Sequence, residues 1–422
     1  MHDQLLRDRE RRGQTINEWI QNTNKPLISV HANIPGSNKN IPEAYIIVRF
    51  FEYKVSQQWS VTKRMRFDSS DGPYVLLVIE DEDLTKVKEQ LISFESSTYG
   101  RLIDLDLWSK DYVQITRKML NAPDRICYLC GDLAHRCVRS KMHPLEDILR
   151  YVLDTTQAHL RENLSYLMKQ AMMDELNLEY KFGLVTPTSQ GSHPDMNYSM
   201  MQRAQDAIIH YFILLFELGY QSDSTLSLFK KARMIGLQAE KAMLKATDGI
   251  NCYKGLIFIL GLLLVSLGYT LKNKLPMTSL FKNIQDLSKS IYDDFKESPT
   301  TFGEIAYQNY HISGARGEAY LGMPSVQKAF ELIKDEPITD QLLRKTLKQL
   351  ILTTDDTVLL KRAGSIENYQ MIKEKIKALD VENDEDVIAF TNEAIQLNLS
   401  FGGSADLLVT TLFLRNIAKN YF

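Results

Sequence analysis

Residues 255–268 read Gly-Leu-Ile-Phe-Ile-Leu-Gly-Leu-Leu-Leu-Val-Ser-Leu-Gly, the longest apolar run in this chain of 422 residues. The run covers about fourteen residues, fewer than the ~20 that a helix needs to span a bilayer. We therefore expect a buried central helix and no membrane association. Outward from this run, apolar residues recur at helical spacing almost everywhere after Leu145, without strand-like alternation. The second part of the chain is therefore predicted to be all-α.

The part before Leu145 carries mixed signals. Helical spacing is found from Leu5 to Gln21 and again from Ile46 to Val55, whereas Tyr74 to Ile79 and the alternating stretch Leu102 to Trp108 are typical of strands. An α+β domain is predicted here. Because a chain of this length exceeds one ordinary core, we expect two domains, residues 1–147 and 148–422.

The composition favours a soluble cytoplasmic protein. The chain is 44% hydrophobic and 24% charged, and its net charge of −3 provides no general attraction to nucleic acid. We expect no signal peptide, because polar and charged sequence follows Met1. Of the 4 cysteines, three lie close together beside a histidine, which is unlike a secreted disulfide scaffold.

Two carboxylates mark the second predicted strand. Asp104 and Asp106 are two residues apart, so both point to one face of the strand. Paired carboxylates of this kind can hold Mg²⁺ against a triphosphate. The alternative is an exposed strand with acidic residues on its solvent side.

A cysteine-rich stretch follows, with Cys127-x2-Cys130-x6-Cys137-x5-His143. These residue types suit a Cys₃His zinc site, and the alternative is a group of buried thiols beside a basic patch. The nearby Arg125 and Arg139 are candidate phosphate ligands in either case. Upstream, Asn33-Ile34-Pro35-Gly36 is either a simple turn or, together with Lys39, a further phosphate contact.

Four polar, glycine-bearing clusters interrupt the helical second part. They predict one site for an anionic ligand, because glycine frees backbone N–H groups near helix N-termini. Taken singly, each cluster also fits an ordinary role: a helix cap at Gly402-Gly403 and Ser404, a capping arrangement at Asp356, a solvated pair at Arg316 and Glu318, and a turn at His193. The clusters are Gly191 to Met196, Thr247 to Gly255, Gly314 to Ala319, and Ser400 to Leu408.

Most of residues 1–145 resemble apo-citrate lyase phosphoribosyl-dephospho-CoA transferase. The resemblance rests on Asn33 to Gly36, on Gly100-Arg101-Leu102-x-Asp104-x-Asp106 and on the cysteine motif. It implies transfer of phosphoribosyl-dephospho-CoA to a serine of the apo acyl carrier subunit of citrate lyase, with release of pyrophosphate. Asp104 and Asp106 would then be the catalytic, metal-holding pair, and Arg101 would join Arg125 and Arg139 at the phosphates.

The remainder, from about residue 150, resembles triphosphoribosyl-dephospho-CoA synthase in all four clusters and in the stretch from Gly236 to Met243. The implied reaction joins ATP and 3′-dephospho-CoA and releases adenine, with Mg²⁺ expected on the triphosphate. The candidate catalytic carboxylates are Asp195, Glu240, Asp356 and Asp406. The candidate substrate-binding residues are Asn251, Lys254, Arg316, Glu318, Arg362, Gly402, Gly403 and Ser404.

Four places depart from the synthase pattern: Cys252-Tyr253 replaces Thr-His, Phe302 replaces His, Ala315 replaces Ile and Phe401 replaces Pro. The lost histidines argue against proton transfer at those positions. Two alternatives remain open from the sequence. One is the equivalent prosthetic-group system of malonate decarboxylase, and the other is a nucleotide- or carrier-binding protein whose synthase half is inactive.

Overall fold

The computed structural model describes residues 2–81, 83–225, 228–292 and 301–422. The chain forms two compact units, one reaching to Glu162 and including Lys419–Phe422, the other spanning Asn163–Ala418. The first unit thus extends past the boundary expected between 147 and 148. The reason is that the change of period marks the start of a long helix, Leu145–Asn177, within which the units divide.

The first unit is α+β, as predicted. The helix expected from Leu5 to Gln21, the helix around residues 46–55 and both predicted strands are confirmed. Its helices are α1 (His2–Thr23), α2 (Pro42–Gln58), α3 (Leu84–Ser96), α4 (Ala134–Ser140) and the first part of α5 (Leu145–Asn177). Its strands are β1 (Leu27–Ala32), β2 (Val61–Phe67), β3 (Tyr74–Ile79), β4 (Ile103–Trp108) and β5 (Gln114–Ile115).

The five strands form one antiparallel sheet in the order β2-β3-β1-β4-β5. Apolar residues on one face, including Val30 and Leu105, pack with α2 and α3. The other face packs through Leu27 and Leu76 against Ile16 of α1. Because side chains alternate between the faces of a strand, Asp104 and Asp106 lie on the α1 face.

The described part of the second unit contains helices and connecting loops but no strand, which confirms the all-α prediction. Its helices, after the end of α5, are α6 (Tyr198–Tyr220), α7 (Leu228–Ala246), α8 (Lys254–Lys272), α9 (Ser279–Leu287), α10 (Phe302–Tyr310), α11 (Gly314–Tyr320), α12 (Pro324–Ile333), α13 (Asp340–Thr353), α14 (Thr357–Ala363), α15 (Ile366–Ala378), α16 (Asp384–Gln396) and α17 (Gly402–Tyr421).

Helix α8 is the predicted central helix. It is long and apolar enough to cross a membrane. However, 78% of its apolar stretch is buried inside the protein, as expected for a core helix. Gly268 of α8 and Gly219 of α6 explain how closely these two helices pack. A Cβ atom at either position would collide with the backbone of the other helix.

Candidate active sites

A basic cavity of about 830 Å³ lies in the first unit. Its lining includes the turn from Asn33 to Gly36 and residues of the cysteine-bearing segment between Pro123 and His143. These two stretches are far apart in the sequence. The volume is within the range of small-molecule sites. Its cationic side chains are Lys39, Arg101, Arg117, Arg125 and Lys141.

Arg125 connects this cavity to the predicted carboxylates. Its guanidinium forms ion pairs with Asp104 and, at 2.6 Å, with Glu95 of α3. Glu95 is buried, and its second carboxylate oxygen accepts from Arg117 at 2.6 Å. Its first oxygen also accepts from the N–H of Leu105, so one carboxylate fixes two arginines against β4.

Asp104 and Asp106 lie next to the cavity but do not line it. The side chain of Asp104 keeps 34% of its surface exposed, and Asp106 accepts a hydrogen bond from Gln114 at 3.0 Å. Burial raises the pKa of Asp104, although Arg125 opposes the rise. Burial, followed by the charge of Asp104, raises the pKa of Asp106. A nearby cation would favour the ionised form of both.

The two other predicted arginines differ in their surroundings. Arg101 lines the cavity, but its guanidinium also donates to the carbonyls of Ile126 and Cys127, at 3.1 and 2.5 Å. It therefore anchors the cysteine-bearing segment. Arg139 is exposed on α4 and does not line the cavity, so the structure places it outside this site.

Sequence reasoning missed Glu95, Arg117 and the residues opposite the aspartates. His31 on β1 pairs in register with Asp104, and its pKa is lowered to about 4 by burial and by Arg12. Arg12 of α1 lies 3.2 Å from Asp71. These residues come from separate elements, so no local motif could have indicated them.

A second cavity, also of about 830 Å³, lies in the second unit. All four predicted clusters contribute to its lining, although the cluster from Gly314 to Ala319 contributes Ala315 alone. The segment around Asp356 lines it as well. Of the residues named from sequence, the lining includes Asp195, Asn251, Lys254, Asp356, Arg362, Gly402, Gly403 and Asp406.

The side chain of Asp406, a residue of α17, lies against the N-terminal end of α8. It accepts a hydrogen bond from the N–H of Leu256, and it can approach this closely because Gly255 has no Cβ to collide with its carboxylate. Burial raises its pKa well above the ordinary value, and the charges of Asp356 and Glu175 act in the same direction. A carboxyl group with a raised pKa can take or give a proton near neutral pH.

Asp356 has a different environment. One oxygen accepts the N–H groups of Val358 and Leu359 at 2.9 and 3.1 Å, capping α14. The other accepts the N–H and hydroxyl of Ser404, both at 2.9 Å. The side chain is 1% exposed and fully hydrogen-bonded, which favours a positioning role over the catalytic role assigned from sequence. Ser404 shares that role, since it does not line the cavity.

His193, interpreted from sequence as a turn residue, is a buried wall of the second cavity. Its Nε2 lies 2.9 Å from the hydroxyl of Ser400, whereas its Nδ1 has no partner among the described residues. Burial, with a contribution from Arg362, lowers its pKa, so the ring is neutral at pH 7. A buried ion pair of Glu175 and Lys181, at 2.7 Å, also lines the cavity and was missed.

Other predicted residues vary in position. Lys254 forms a 2.6 Å ion pair with Glu240, which lies outside the cavity lining. Asn251 accepts from the N–H of Lys254 at 3.0 Å, and Arg362 donates to Asn398 at 2.6 Å. Asp195 is exposed at the cavity edge.

Two predicted binding residues do not reach the cavity. Arg316 lies 3.6 Å from Glu304 instead. Glu318 is buried and accepts the N–H and hydroxyl of Ser325, at 3.2 and 2.6 Å. Their residue types suited phosphate and substrate, but on the short helix α11 they face neighbouring elements.

Four of the five residues that depart from the synthase pattern line this cavity. They are Cys252, Tyr253, Phe302 and Ala315. The hydroxyl of Tyr253 accepts from the buried Gln205 at 2.8 Å, so this residue has a packing role. Phe401 is fully buried and contacts Phe182, away from the cavity lining.

Comparisons with known proteins agree with this division. Residues 161–421 match the family ATP:dephospho-CoA triphosphoribosyl transferase, and residues 1–159 match apo-citrate lyase phosphoribosyl-dephospho-CoA transferase. Protein CitXG of Leuconostoc mesenteroides is 28% identical over 95% of both chains. Protein CitXG of Haemophilus influenzae is 26% identical over 99% of this chain and 96% of its own length.

A third relative covers about two thirds of this chain. The 2-(5''-triphosphoribosyl)-3'-dephosphocoenzyme-A synthase of Haemophilus ducreyi is 32% identical over 68% of this chain and 98% of its own length. The chain therefore belongs to the triphosphoribosyl transferase family, carries an N-terminal domain of the apo-citrate lyase transferase family, and is a bifunctional transferase of citrate lyase prosthetic-group biosynthesis.

Proposed function

We propose that the second unit condenses ATP with 3′-dephospho-CoA to give 2′-(5-triphosphoribosyl)-3′-dephospho-CoA and adenine. The ribose 2′-hydroxyl of dephospho-CoA forms a bond to C1 of the ATP ribose, the bond from C1 to adenine breaks, and the hydroxyl proton is balanced by protonation of adenine. Such a transition state has oxocarbenium character. The observation that carries this proposal is the meeting of Asp406, His193, Lys254 and Arg362 at one cavity.

The residues of this cavity divide the work by chemistry. His193 is neutral and its Nδ1 has no partner among the described residues, so it suits a proton acceptor for the attacking hydroxyl. Asp406, with its raised pKa, suits protonation of the departing adenine. Lys254, Arg362 and the N–H groups at Gly402 and Gly403 suit the triphosphate. Asp356 holds the start of α17 in place.

For the first unit, we propose transfer of phosphoribosyl-dephospho-CoA to a serine of the apo acyl carrier subunit of citrate lyase. The serine oxygen bonds to the α-phosphorus of the triphosphate chain, and pyrophosphate leaves. Arg117 and Arg125, fixed by Glu95, would bind phosphate at the cavity. Asp104 and Asp106 have the oxygen chemistry that Mg²⁺ requires, and the ion would supply charge neutralisation for the departing pyrophosphate. We propose a cytoplasmic location, in accord with four free cysteines.

Two readouts test this function. The purified chain with ATP, Mg²⁺ and dephospho-CoA should release adenine, detected by chromatography. After addition of the apo carrier, mass spectrometry should show one phosphoribosyl-dephospho-CoA on a serine. Absence of adenine from a folded chain would refute the synthase assignment. An unmodified carrier supplied with ready-made precursor would refute the transferase assignment.

A further inference from the structure

The side chains of Cys127, Cys130, Cys137 and His143 converge in the first unit. Their sulfur and nitrogen atoms all lie within 4.8 Å of one another. The Sγ atoms of Cys130 and Cys137 are 3.4 Å apart, and His143 Nε2 is 3.3 Å from Cys130 Sγ. A tetrahedral zinc ion with bonds of about 2.0–2.3 Å places its ligands about 3.3–3.8 Å apart. The geometry therefore matches a zinc site.

The backbone around the first two cysteines also suits a metal-bound thiolate. The N–H of Leu129 points to Cys127 Sγ at 3.5 Å. Gly131, directly after Cys130, has a φ of +75°, which reverses the chain. The N–H of Cys127 then bonds the carbonyl of Asp132 at 2.6 Å, closing a tight loop. Such a loop presents two sulfur atoms on one side while backbone N–H groups partly neutralise their charge.

The segment around these residues has no apolar core of its own. Between residues 121 and 145 the buried residues are Cys127 and Cys137 alone, and all of this stretch is described. Large apolar side chains there, such as Val138 and Met142, are instead 75% and 61% exposed. Arg101 and Tyr128 attach this segment to the rest of the first unit, but the segment itself buries only thiols, and a bound metal supplies a cross-link between them.

We propose that one zinc ion, bound by Cys127, Cys130, Cys137 and His143, holds this segment as a wall of the basic cavity. The site has four protein ligands and so is structural, with no position left for a substrate. Cys127, Cys137 and His143 line the cavity, and Arg125 precedes the loop by two residues. The consequence for carrier modification, unlike zinc binding itself, rests on the proposed function of the first unit.

The test is metal analysis of the full chain, expressed without added metal and purified without a metal-affinity step. Elemental analysis should find one zinc per chain. Zinc should be lost in Cys130→Ser and in His143→Ala. His135→Ala is the matched control, because His135 lies on α4 beside the cluster but is exposed and contributes no ligand. This variant should retain its zinc.

A second measurement does not depend on activity. Chelation of the wild-type chain should speed proteolysis between residues 121 and 145, while adenine release by the second unit continues. Cobalt-loaded protein should show the visible absorption of a tetrahedral thiolate site. A zinc-free chain whose four thiols all react freely and whose proteolysis ignores chelator would overturn the proposal. Zinc bound but carrier modification absent would instead count against the transferase function alone.

Discussion

His193 shows how one buried side chain can be prepared for proton transfer. Desolvation keeps the imidazole neutral, and Ser400 at 2.9 Å fixes one ring nitrogen. The other nitrogen has no partner among the described residues, although an orphaned buried polar atom normally costs stability. We interpret that cost as the consequence of a substrate-binding function at Nδ1.

His193→Ala should reduce adenine release by about 10²-fold or more, the usual contribution of a general base. Ser400→Ala should give a smaller loss, because the imidazole remains but turns more freely. Because burial lowers the pKa of His193, its protonation should reduce the rate only at a lower pH than for an ordinary histidine, and this group should change the rate little between pH 8 and pH 7. Steady-state assays across this range measure all three effects, and near-wild-type turnover of His193→Ala would exclude the proton-acceptor role.

Asp406 predicts a conflict between stability and activity. Its folded-state pKa is raised above the unfolded value of about 3.9, so its contribution to stability is complete below that value and is lost as pH rises through the folded pKa. Asp406→Asn keeps an oxygen for the N–H of Leu256 but carries no charge. It should abolish adenine release and yet unfold at a higher temperature than the wild type at pH 8, with a smaller difference at pH 5. If Asp406→Asn and the wild type had the same unfolding temperature at pH 8 and also at pH 5, the raised pKa of Asp406 would be contradicted.

At the scale of elements, Asp356 joins the N-termini of α14 and α17 through one carboxylate. Both carboxylate oxygens of Asp356 accept hydrogen bonds, but the amide of Asp356→Asn has only one accepting oxygen. Its N–H₂ group must therefore face the donors of Ser404 or those of Val358 and Leu359, so at least one donor loses its partner. A buried unsatisfied donor costs about 1–3 kcal/mol. We expect this loss in the free energy of unfolding, together with weaker adenine release because the start of α17 shifts.

The matched control for that prediction is Ser365→Ala. Ser365 caps α15 by accepting the N–H of Asn368 at 3.2 Å, and it does not line the cavity. Removal of such a cap typically costs about 1 kcal/mol and should leave adenine release unchanged. Denaturant titration of both variants gives the comparison. A loss for Asp356→Asn no greater than that for Ser365→Ala would argue against the shared cap.

The elements that sequence predicted best are those with a strong local pattern. β4 alternates cleanly because one face packs on α3 while the other carries Asp104 and Asp106, and α8 is apolar all round because the core surrounds it. β2 was not recognised from the sequence. It is an edge strand whose middle positions are all exposed, so its sequence does not alternate between apolar and polar residues. β1 is as long as β4, but its sequence is neither a continuous apolar run nor a regular alternation, because Leu27 and Ile28 are adjacent apolar residues and Ser29 and His31 interrupt the rest.

At the scale of the whole molecule, sequence could name motif residues but not the partners that folding brings to them. Gly255 and Asp406 are far apart in the chain, yet the missing Cβ of one admits the carboxylate of the other. Glu95 was invisible for the same reason, since it orients Arg117 and Arg125 from a different element. Arg316 and Glu318 were assigned to the site from their residue types alone. Residue type does not indicate which face of the short helix α11 points to the cavity.

The described residues that line each cavity all belong to one unit. The two reactions should therefore be separable by single substitutions. Asp106→Asn keeps the oxygen that accepts from Gln114 but removes a charge expected to bind Mg²⁺, so it should abolish carrier modification and leave adenine release intact. Asp406→Asn should have the opposite effect, blocking adenine release while transferring a ready-made precursor.

Mixing the two variants provides the strictest form of this prediction. With ATP, dephospho-CoA and apo carrier, neither Asp106→Asn nor Asp406→Asn alone should produce modified carrier. The mixture should do so, because the precursor made by the first variant can diffuse to the intact transferase cavity of the second. Mass spectrometry of the carrier and chromatography of adenine follow the two steps separately, and the unfolding transition of each variant checks its integrity. If folded Asp106→Asn lost both activities, the separate cavities would have to give way to a single shared site.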